Sequence, residues 1–377
     1  MNILLSSYVH WWNAEAAYAA AVGEVLRDAG HRVWMLARED THNAEMLRTR
    51  GLEVRTEFPL WRDHPGVLRR ALKDLAAFQS REGIDLVNVF RSREMPLHLW
   101  AAGKGSGIAL VRTRGSARPI KGHWLNRRLY HRHCGGLIAS SEAVRREMIE
   151  SLRLPPARVR TIHYPVEHPP QPPSPGAEDE RRALLTELGL PPESIVLGIV
   201  GRARKEKGHE RLLRALALLA PRHPDLALLV LDKRYDDPPA CRENIQALQS
   251  QLGLDGRVRW LGFREDVRRI MGLMHVGVVP SLTSEMNCRV AMEFFSVGVP
   301  VVALPTGALP EVIEHGINGL VAPSHSPEDL ADTLAPLLAD PARRQTLAQG
   351  ALGAAAGKFS RPRFLAQTLA AYKAAMG

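Results

Sequence analysis

Short apolar runs rich in β-branched residues alternate with amphipathic stretches along this chain, and the alternation occurs twice, on either side of a proline-rich segment at 169–179. A buried strand followed by a helix, repeated, closes most readily into a parallel sheet with helices on both faces. Before the proline-rich segment the strand-like runs are 3–5, 33–36, 86–89, 110–112 and 137–139. A helix over about 14–29 carries Val22, Val25, Leu26 and Ala29 on one side and is stopped by Gly30. After the segment the runs are 195–200, 226–231, 258–261, 276–279 and 301–303. The segment itself, Pro169-Pro-Gln-Pro-Pro-Ser-Pro-Gly-Ala-Glu-Asp179, reads as a semi-rigid linker that forms neither helix nor strand. The expected fold class is α/β, with two doubly wound Rossmann-like domains, 1–168 and 180–357, facing each other across a cleft. A chain of 377 residues with 45% apolar content has the material for two cores.

Two segments of the second half are suited to anions. The loop Gly201-Arg-Ala-Arg-Lys-Glu-Lys-Gly208 follows one apolar run and precedes a helix with Leu212, Ala215, Leu216 and Leu219 on one face, so it lies at a strand's carboxyl end, where open α/β sheets bind ligands. Gly201 allows close backbone approach, and Arg202 and Lys207 offer a planar fork and a point charge. Farther on, Glu285 falls in a loop after the 276–279 run and Glu293 on the opening turns of a helix from Val290. A helix start presents backbone N–H groups to an anion, and flanking carboxylates seek hydroxyls. A sugar nucleotide has that layout. An acid near a helix start and a solvated basic loop are the plainer readings of the same residues.

The order Gly-Arg-(x)4-Lys-Gly, then Arg257-Val-Arg-Trp-Leu-Gly-Phe263, then Glu285-(x)7-Glu293, then Gly298-Val-Pro-Val-Val-Ala303 and Pro310-Glu-Val-Ile-Glu-His-Gly316, resembles glycosyltransferase family 4, retaining enzymes of the GT-B fold. The similarity runs over about 195–355 and is weaker upstream. It implies that Arg202 and Lys207 hold the donor diphosphate, that Glu293 binds the ribose, that Glu285 lies beside the donor sugar, and that Gly262 and Phe263 belong to the base-binding segment. It also implies a last helix, about 358–377, crossing back onto the first domain. Three places depart from the family pattern. The first loop, Ser6-Ser-Tyr-Val-His-Trp-Trp-Asn-Ala-Glu-Ala16, lacks the usual glycine pair and carries His10, Trp11 and Trp12, which either stack on an acceptor sugar or anchor the loop by burial. Arg114 occupies the position of a family histidine. Asn287, Cys288 and Arg289 replace Gly-Phe-Gly, where their amides and that of Val290 still supply donors and Arg289 adds a candidate phosphate contact.

Charge bears on the acceptor. Residues 1–175 hold 26 Lys/Arg against 17 Asp/Glu, whereas 176–377 hold 24 against 23. Between Arg91 and Arg132 lie Arg91, Arg93, Lys104, Arg112, Arg114, Arg118, Lys121, Arg127, Arg128 and Arg132, with Glu94 the one acid. An anionic glycan or glycolipid acceptor fits this field, with Arg91, Arg93, Arg114 and Lys121 as candidate contacts, and so does peripheral contact with an anionic membrane. The stretch 61–78, with Val67, Leu68, Ala71, Leu72 and Leu75 on one side, is either an interfacial helix or a stripe packed on a sheet. Cys134, Cys241 and Cys288 are too scattered for disulfides or zinc. The absence of a basic leader and of any long apolar run predicts a cytoplasmic protein, at most peripheral on the membrane's inner face.

No nucleophile–base pair or metal cluster stands out, and Asp236-Asp237 and Glu178-Asp-Glu180 read as solvated loop acids. The expected activity is a retaining, metal-independent hexosyl or heptosyl transfer without a cofactor, from a nucleoside diphosphate sugar, UDP-sugar favoured, in lipopolysaccharide or envelope polysaccharide assembly. A nicotinamide dehydrogenase is disfavoured because no Gly-x-Gly-x-x-Gly follows the first strand. Nucleic acid is not an expected partner, since 6% aromatic content and no helix-turn-helix or zinc pattern accompany the basicity. A non-catalytic sugar-nucleotide binder remains as the alternative.

Overall fold

The computed structural model describes residues 1–62, 64–103, 105–116, 118–172, 175–232, 239–283 and 285–377, the side chains of 239 and 240 excepted. Lys104, Asp236, Asp237, Ser284 and the linker's Pro173 and Ser174 lie outside the described residues. The chain divides into two compact units, Met1–Pro165 with Arg361–Gly377, and Val166–Ser360.

In chain order the first unit contains β1 (Asn2–Ser6), α1 (Ala14–Asp28), β2 (Arg32–Leu36), α2 (His42–Thr49), β3 (Glu53–Arg55), α3 (Pro65–Arg81) and β4 (Leu86–Val89). It continues with α4 (Met95–Ala102), β5 (Ala109–Arg114), α5 (Trp124–His133), β6 (Gly136–Ala139), α6 (Glu142–Leu152) and β7 (Val159–Thr161). The second unit runs α7 (Ala177–Glu187), β8 (Ile195–Val200), α8 (His209–Leu219), β9 (Leu226–Leu231), α9 (Pro239–Gln251), β10 (Val258–Trp260) and α10 (Val267–Gly272). There follow β11 (Val276–Val279), α11 (Arg289–Ser296), β12 (Val301–Ala303), α12 (Leu309–Val312), β13 (Gly319–Val321), α13 (Pro327–Ala339) and α14 (Pro341–Ala356). The last helix, α15 (Arg361–Met376), belongs to the first unit.

Among the described residues the first sheet has the order β3-β2-β1-β4-β5-β6-β7 and the second β10-β9-β8-β11-β12-β13. Every pairing is parallel, with Ile3 opposite Leu86 in the first sheet and Leu197 opposite Val276 in the second. Each order reverses direction once, between β1 and β4 and between β8 and β11. Helices leave the sheet to opposite faces at such a point, opening a crevice at the strands' carboxyl ends. The strands flanking it are largely buried and mostly apolar because helices cover both faces, with Asn2, Ser6 and Asn88 the polar exceptions. In the second unit Leu197, Ile199, Leu228 and Val230 pack on Leu212 and Leu216 of α8 and on Leu330, Leu334 and Leu337 of α13.

Local chemistry explains the helix limits. Asn13 caps α1 by accepting from Ala16 N (3.0 Å), and the chain leaves that helix through Gly30 at φ 81°. α15 is held on the first sheet by a bond from Asn88 Nδ2 to Tyr372 Oη (2.6 Å) and on α1 by Arg361 with Glu24 (3.0 Å).

The structure corrects some expectations and decides between alternatives for others. Ala177–Asp179 open α7 instead of extending the linker, because the prolines end at Pro175 and the acids of the first turn complement the helix's positive end. Glu178 and Glu180 are therefore helical, paired with Arg181 and Arg269. The stripe of α3 packs within its unit: Ala71, Leu72, Leu75 and Phe78 are buried, with the Phe78 ring edge-on to Trp34 at 5.7 Å. Of that stripe Val67 is 39% exposed and Leu68 half-buried, so the packed alternative holds for α3. Strands β3 and β13 escaped the sequence reading because three-residue edge strands carry little periodicity. No helix among the described residues is long and apolar enough to cross a membrane.

Candidate functional site

The switch point of the second sheet gathers two loops. After β8, Gly201 takes φ 150°, a short 3-10 turn covers Lys205–Lys207, and Gly208 at φ 74° starts α8. A Cβ on Gly208 would lie 1.8 Å from the carbonyl oxygen of Pro280, so only glycine lets this loop touch the chain leaving β11. Leu282 N donates to Glu206 O (2.8 Å) across the same contact. The result is an ion pair between Lys207 Nζ and Glu285 Oε1, which also accepts from Ser281 Oγ (2.7 Å). The carboxylate is 13% exposed and the lysine 29%, leaving the pair open on one side. Arg202 stands exposed on the same loop.

Around this pair the backbone is tightly held. Ala308 N donates to Glu285 O (2.7 Å), and the Cys288 thiol faces the same carbonyl at 3.5 Å. Cys288 precedes α11 in the left-handed region, φ 47°, a conformation a non-glycine residue adopts at a cost of about 1 kcal/mol. Burial, and then Glu285, push its thiol well above the usual range, so it contributes a backbone bend and not a nucleophile. Asn287 is buried beside it. Arg289 does not reach for an anion: its Nη2 donates to Glu167 Oε1 (2.8 Å) and to Glu293 Oε1 (3.3 Å). Burial raises the Glu293 carboxyl and Glu167 adds to that, while Arg289 opposes both. Arg289 is thus a counter-ion for the candidate ribose acid, a correction to its expected phosphate contact. Val290 lies in the first turn of α11, whose amides have no intrahelical partners.

The loop after β10 contributes Gly262 at φ 66° and Phe263, 55% exposed. Beneath it Trp260 stacks on His209 (6.1 Å between centroids) and donates Nε1–H to Gln249 Oε1 (2.8 Å). Burial, then Lys207, depress His209 to about 4, so its ring is neutral at pH 7. Sequence reading missed Thr306, whose hydroxyl donates to Ser281 O (2.5 Å) and lies 2.8 Å from His325 Nε2, bracing the Glu285 loop from behind. Nothing in its local sequence signals that contact. Among the described residues no cluster of three or more His, Cys, Asp or Glu is placed to hold a metal ion.

In the first unit the candidate acceptor residues separate. His10 and Trp11 are exposed, edge to face at 4.6 Å, which removes burial as the role of Trp11. Trp12 lies under the Arg50 guanidinium (5.0 Å). Arg91 and Arg93 are exposed, Arg91 with Nη1 on Tyr8 O (3.4 Å) and Nε 4.0 Å from Glu15. Arg114 is buried, its Nε 3.3 Å from Glu147 Oε2 and its Nη2 on Arg118 O. Arg112 is buried too and donates to Val89 O (3.1 Å). These two arginines brace their own domain and do not form an open anion site, because both are buried, each gives an Nη group to backbone carbonyls, and Arg114 faces Glu147. Lys121 remains exposed.

The acid that sequence reading passed over is Glu94, although it was the one carboxylate in the basic stretch. It is 4% exposed, accepts from Ser6 Oγ (2.8 Å), and Ser6 Oγ lies 2.9 Å from His98 Nε2. Burial lifts its carboxyl from 4.5 to about 8, with Glu15 adding and the Ser6 bond, Arg112 and Arg91 opposing. The folded chain therefore keeps a proton that the unfolded chain releases above about 4.5, and stability falls as pH climbs from there towards 8. Glu94→Gln should flatten that decline, as urea titrations at pH 5 and pH 8.5 will show. Equal losses in parent and variant would exclude Glu94 as the source.

Residues 180–352 match the family described as glycosyl transferases group 1, and residues 16–168 match glycosyltransferase family 4. A D-inositol 3-phosphate glycosyltransferase of Corynebacterium jeikeium is 35% identical over 191 residues, 50% of this chain and 45% of that protein. The match therefore spans about half the length of that curated relative. A glycosyltransferase from Rickettsia africae ESF-5 superposes with a TM-score of 0.86 at 17% identity, covering 100% of this chain and 98% of that one. Anabaena HepE in complex with UDP gives 0.84 at 21% identity, covering 99% and 100%. At such identities the two structures establish a common fold.

Proposed function

Because the chain belongs to the group 1, family 4 glycosyltransferases and has their GT-B class of fold, we propose that it moves a hexose or heptose from a nucleoside diphosphate sugar to an anionic or membrane-associated acceptor. The observation that carries this reading is the half-buried Lys207–Glu285 pair, with Ser281, at the switch point of the second sheet. A cation there meets the donor diphosphate, and the acid beside it meets sugar hydroxyls. Arg202, Lys207 and the opening amides of α11 then neutralise the leaving diphosphate, the term on which such a transfer depends most. Glu293, with Arg289 beside it as counter-ion, takes the ribose. Retention follows if the acceptor attacks from the leaving group's side and a donor phosphate oxygen removes its proton.

UDP is the favoured nucleotide, supported by the UDP complex of Anabaena HepE. An anionic acceptor is supported by the basic first unit and by relatives that are D-inositol 3-phosphate glycosyltransferases. Lipopolysaccharide core or another phosphorylated envelope glycan, met at the inner face of the cytoplasmic membrane, belongs to that class. One observation favours a second reading, binding without transfer: the first loop offers no glycine and presents Trp11 to solvent. The test is a thermal-shift panel of UDP, GDP and ADP followed by a hydrolysis assay with the matching sugar nucleotide. UDP should stabilise most and the donor should turn over slowly without acceptor. A flat panel removes the donor assignment; binding without hydrolysis selects the second reading.

A further inference from the structure

A second cation–acid pair spans the switch point of the first sheet. Glu15 lies in the first turn of α1, which follows β1, and Arg91 in the loop after β4. The strand order reverses between β1 and β4, so these two side chains meet where open α/β sheets bind ligands. In the second unit Lys207 follows β8 and Glu285 follows β11, and the two pairs are counterparts with acid and cation exchanged.

The pair in the first unit is the looser one. Arg91 Nε stands 4.0 Å from Glu15 Oε1, beyond hydrogen-bond reach, and Arg91 gives Nη1 to Tyr8 O (3.4 Å). Among the described residues Glu15 Oε1 is buried with no hydrogen-bond partner, although the side chain as a whole is 20% exposed. Burial raises its carboxyl, and Arg112, then Arg91 and Arg114, draw it back. Arg112 is itself 3% exposed, and among the described residues its Nε is likewise buried without a partner. An acceptor buried without a donor is costly, so a ligand that brings the donor removes that cost as it binds. A hydroxyl does so and can also accept from a guanidinium. A phosphate dianion brings Glu15 no proton and is repelled by it.

We infer that Glu15, flanked by Arg91, grips a ring hydroxyl of the acceptor, so that the group bound at this point is a polyol ring, a sugar or a cyclitol, and not a phosphate. The inference rests on the glycosyltransferase reading and names the acceptor chemistry within it. Trp11, 59% exposed on the loop that leads into α1, gives such a ring an apolar face to meet.

The full chain, with and without UDP, is titrated with myo-inositol, methyl α-D-glucopyranoside and methyl α-D-mannopyranoside, and binding is followed by saturation-transfer NMR. At least one of the three should bind, and which one separates a cyclitol from a sugar. Cyclohexanol should not bind, and inorganic phosphate should not displace the polyol. Glu15→Ala should weaken polyol binding about tenfold or more, whereas Glu15→Gln, which keeps the acceptor oxygen, should retain most of it. Glu15→Gln should also melt no lower than the parent, because a neutral amide is cheaper to bury than a carboxylate. The inference is overturned if no ring polyol binds the parent, if phosphate displaces it, or if Glu15→Ala binds as well as the parent. It is equally overturned if Glu15→Gln binds as poorly as Glu15→Ala or melts below the parent, since the carboxylate would then serve only as a counter-charge to the arginines. Polyol binding beside a flat nucleotide panel refutes the donor assignment alone, and UDP binding without polyol binding refutes this inference alone.

Discussion

Lys207→Ala should lower glycosyl transfer by about 10²–10³-fold and erase the stabilisation by UDP. Two effects act in the same direction. The variant loses the cation that meets the diphosphate, and it leaves Glu285, 13% exposed and otherwise bonded to Ser281, without its counter-ion. An uncompensated carboxylate beside the phosphate site repels the ligand it formerly helped to bind. Initial rates at saturating donor, with a thermal-shift titration in parallel, separate the two: the rate falls through the lost cation and the affinity through the exposed repulsion. Retention of activity within about threefold, half a decade in a scale where 1.4 kcal/mol is tenfold, would remove Lys207 from the site.

Gly208→Ala should be the more disruptive change although it adds one methyl group. Its φ of 74° costs a side chain about 1–2 kcal/mol, and the new Cβ would meet the Pro280 carbonyl oxygen at 1.8 Å, where backbone must move. A loss of about 2–4 kcal/mol is expected, together with loss of UDP binding, because the same contact brings Lys207 to Glu285. Gly262→Ala provides the comparison. Its φ is 66° but nothing lies within 4 Å of a Cβ, so only the conformational cost of about 1–2 kcal/mol applies. Calorimetric melting of both variants checks the ranking. Equal destabilisation would mean that the contact between the two loops is not what holds the site.

Long central strands were legible because burial on both faces writes an uninterrupted apolar run: 195–200 and 226–231 are β8 and β9 to the residue. The edge strands β3 and β13 were not, since three residues carry no period. At the site, glycines at 201 and 208 and the acids at 285 and 293 could be singled out because their residue types and spacing are local properties. The partners of charges could not. Arg114 and Arg289 read as anion ligands, yet each lies on a carboxylate, Glu147 and Glu167, that is distant in sequence. Glu94 hid for the same reason, its surroundings coming from β1, α1 and β5.

Periodicity and turn chemistry are consequences of the nearest few residues, so the amino-acid order alone determined the alternation of strands and helices, the glycine-bounded loop and the places where amides and carboxylates can meet a phosphate. Which cation stays open to a ligand and which is spent inside the protein depends on groups brought within about 4 Å of it, and only the tertiary structure decides that. Lys207 joins Glu285 across 78 residues at the edge of the sheet, while Trp124 and Leu125 are left in water by the same packing that consumes Arg114.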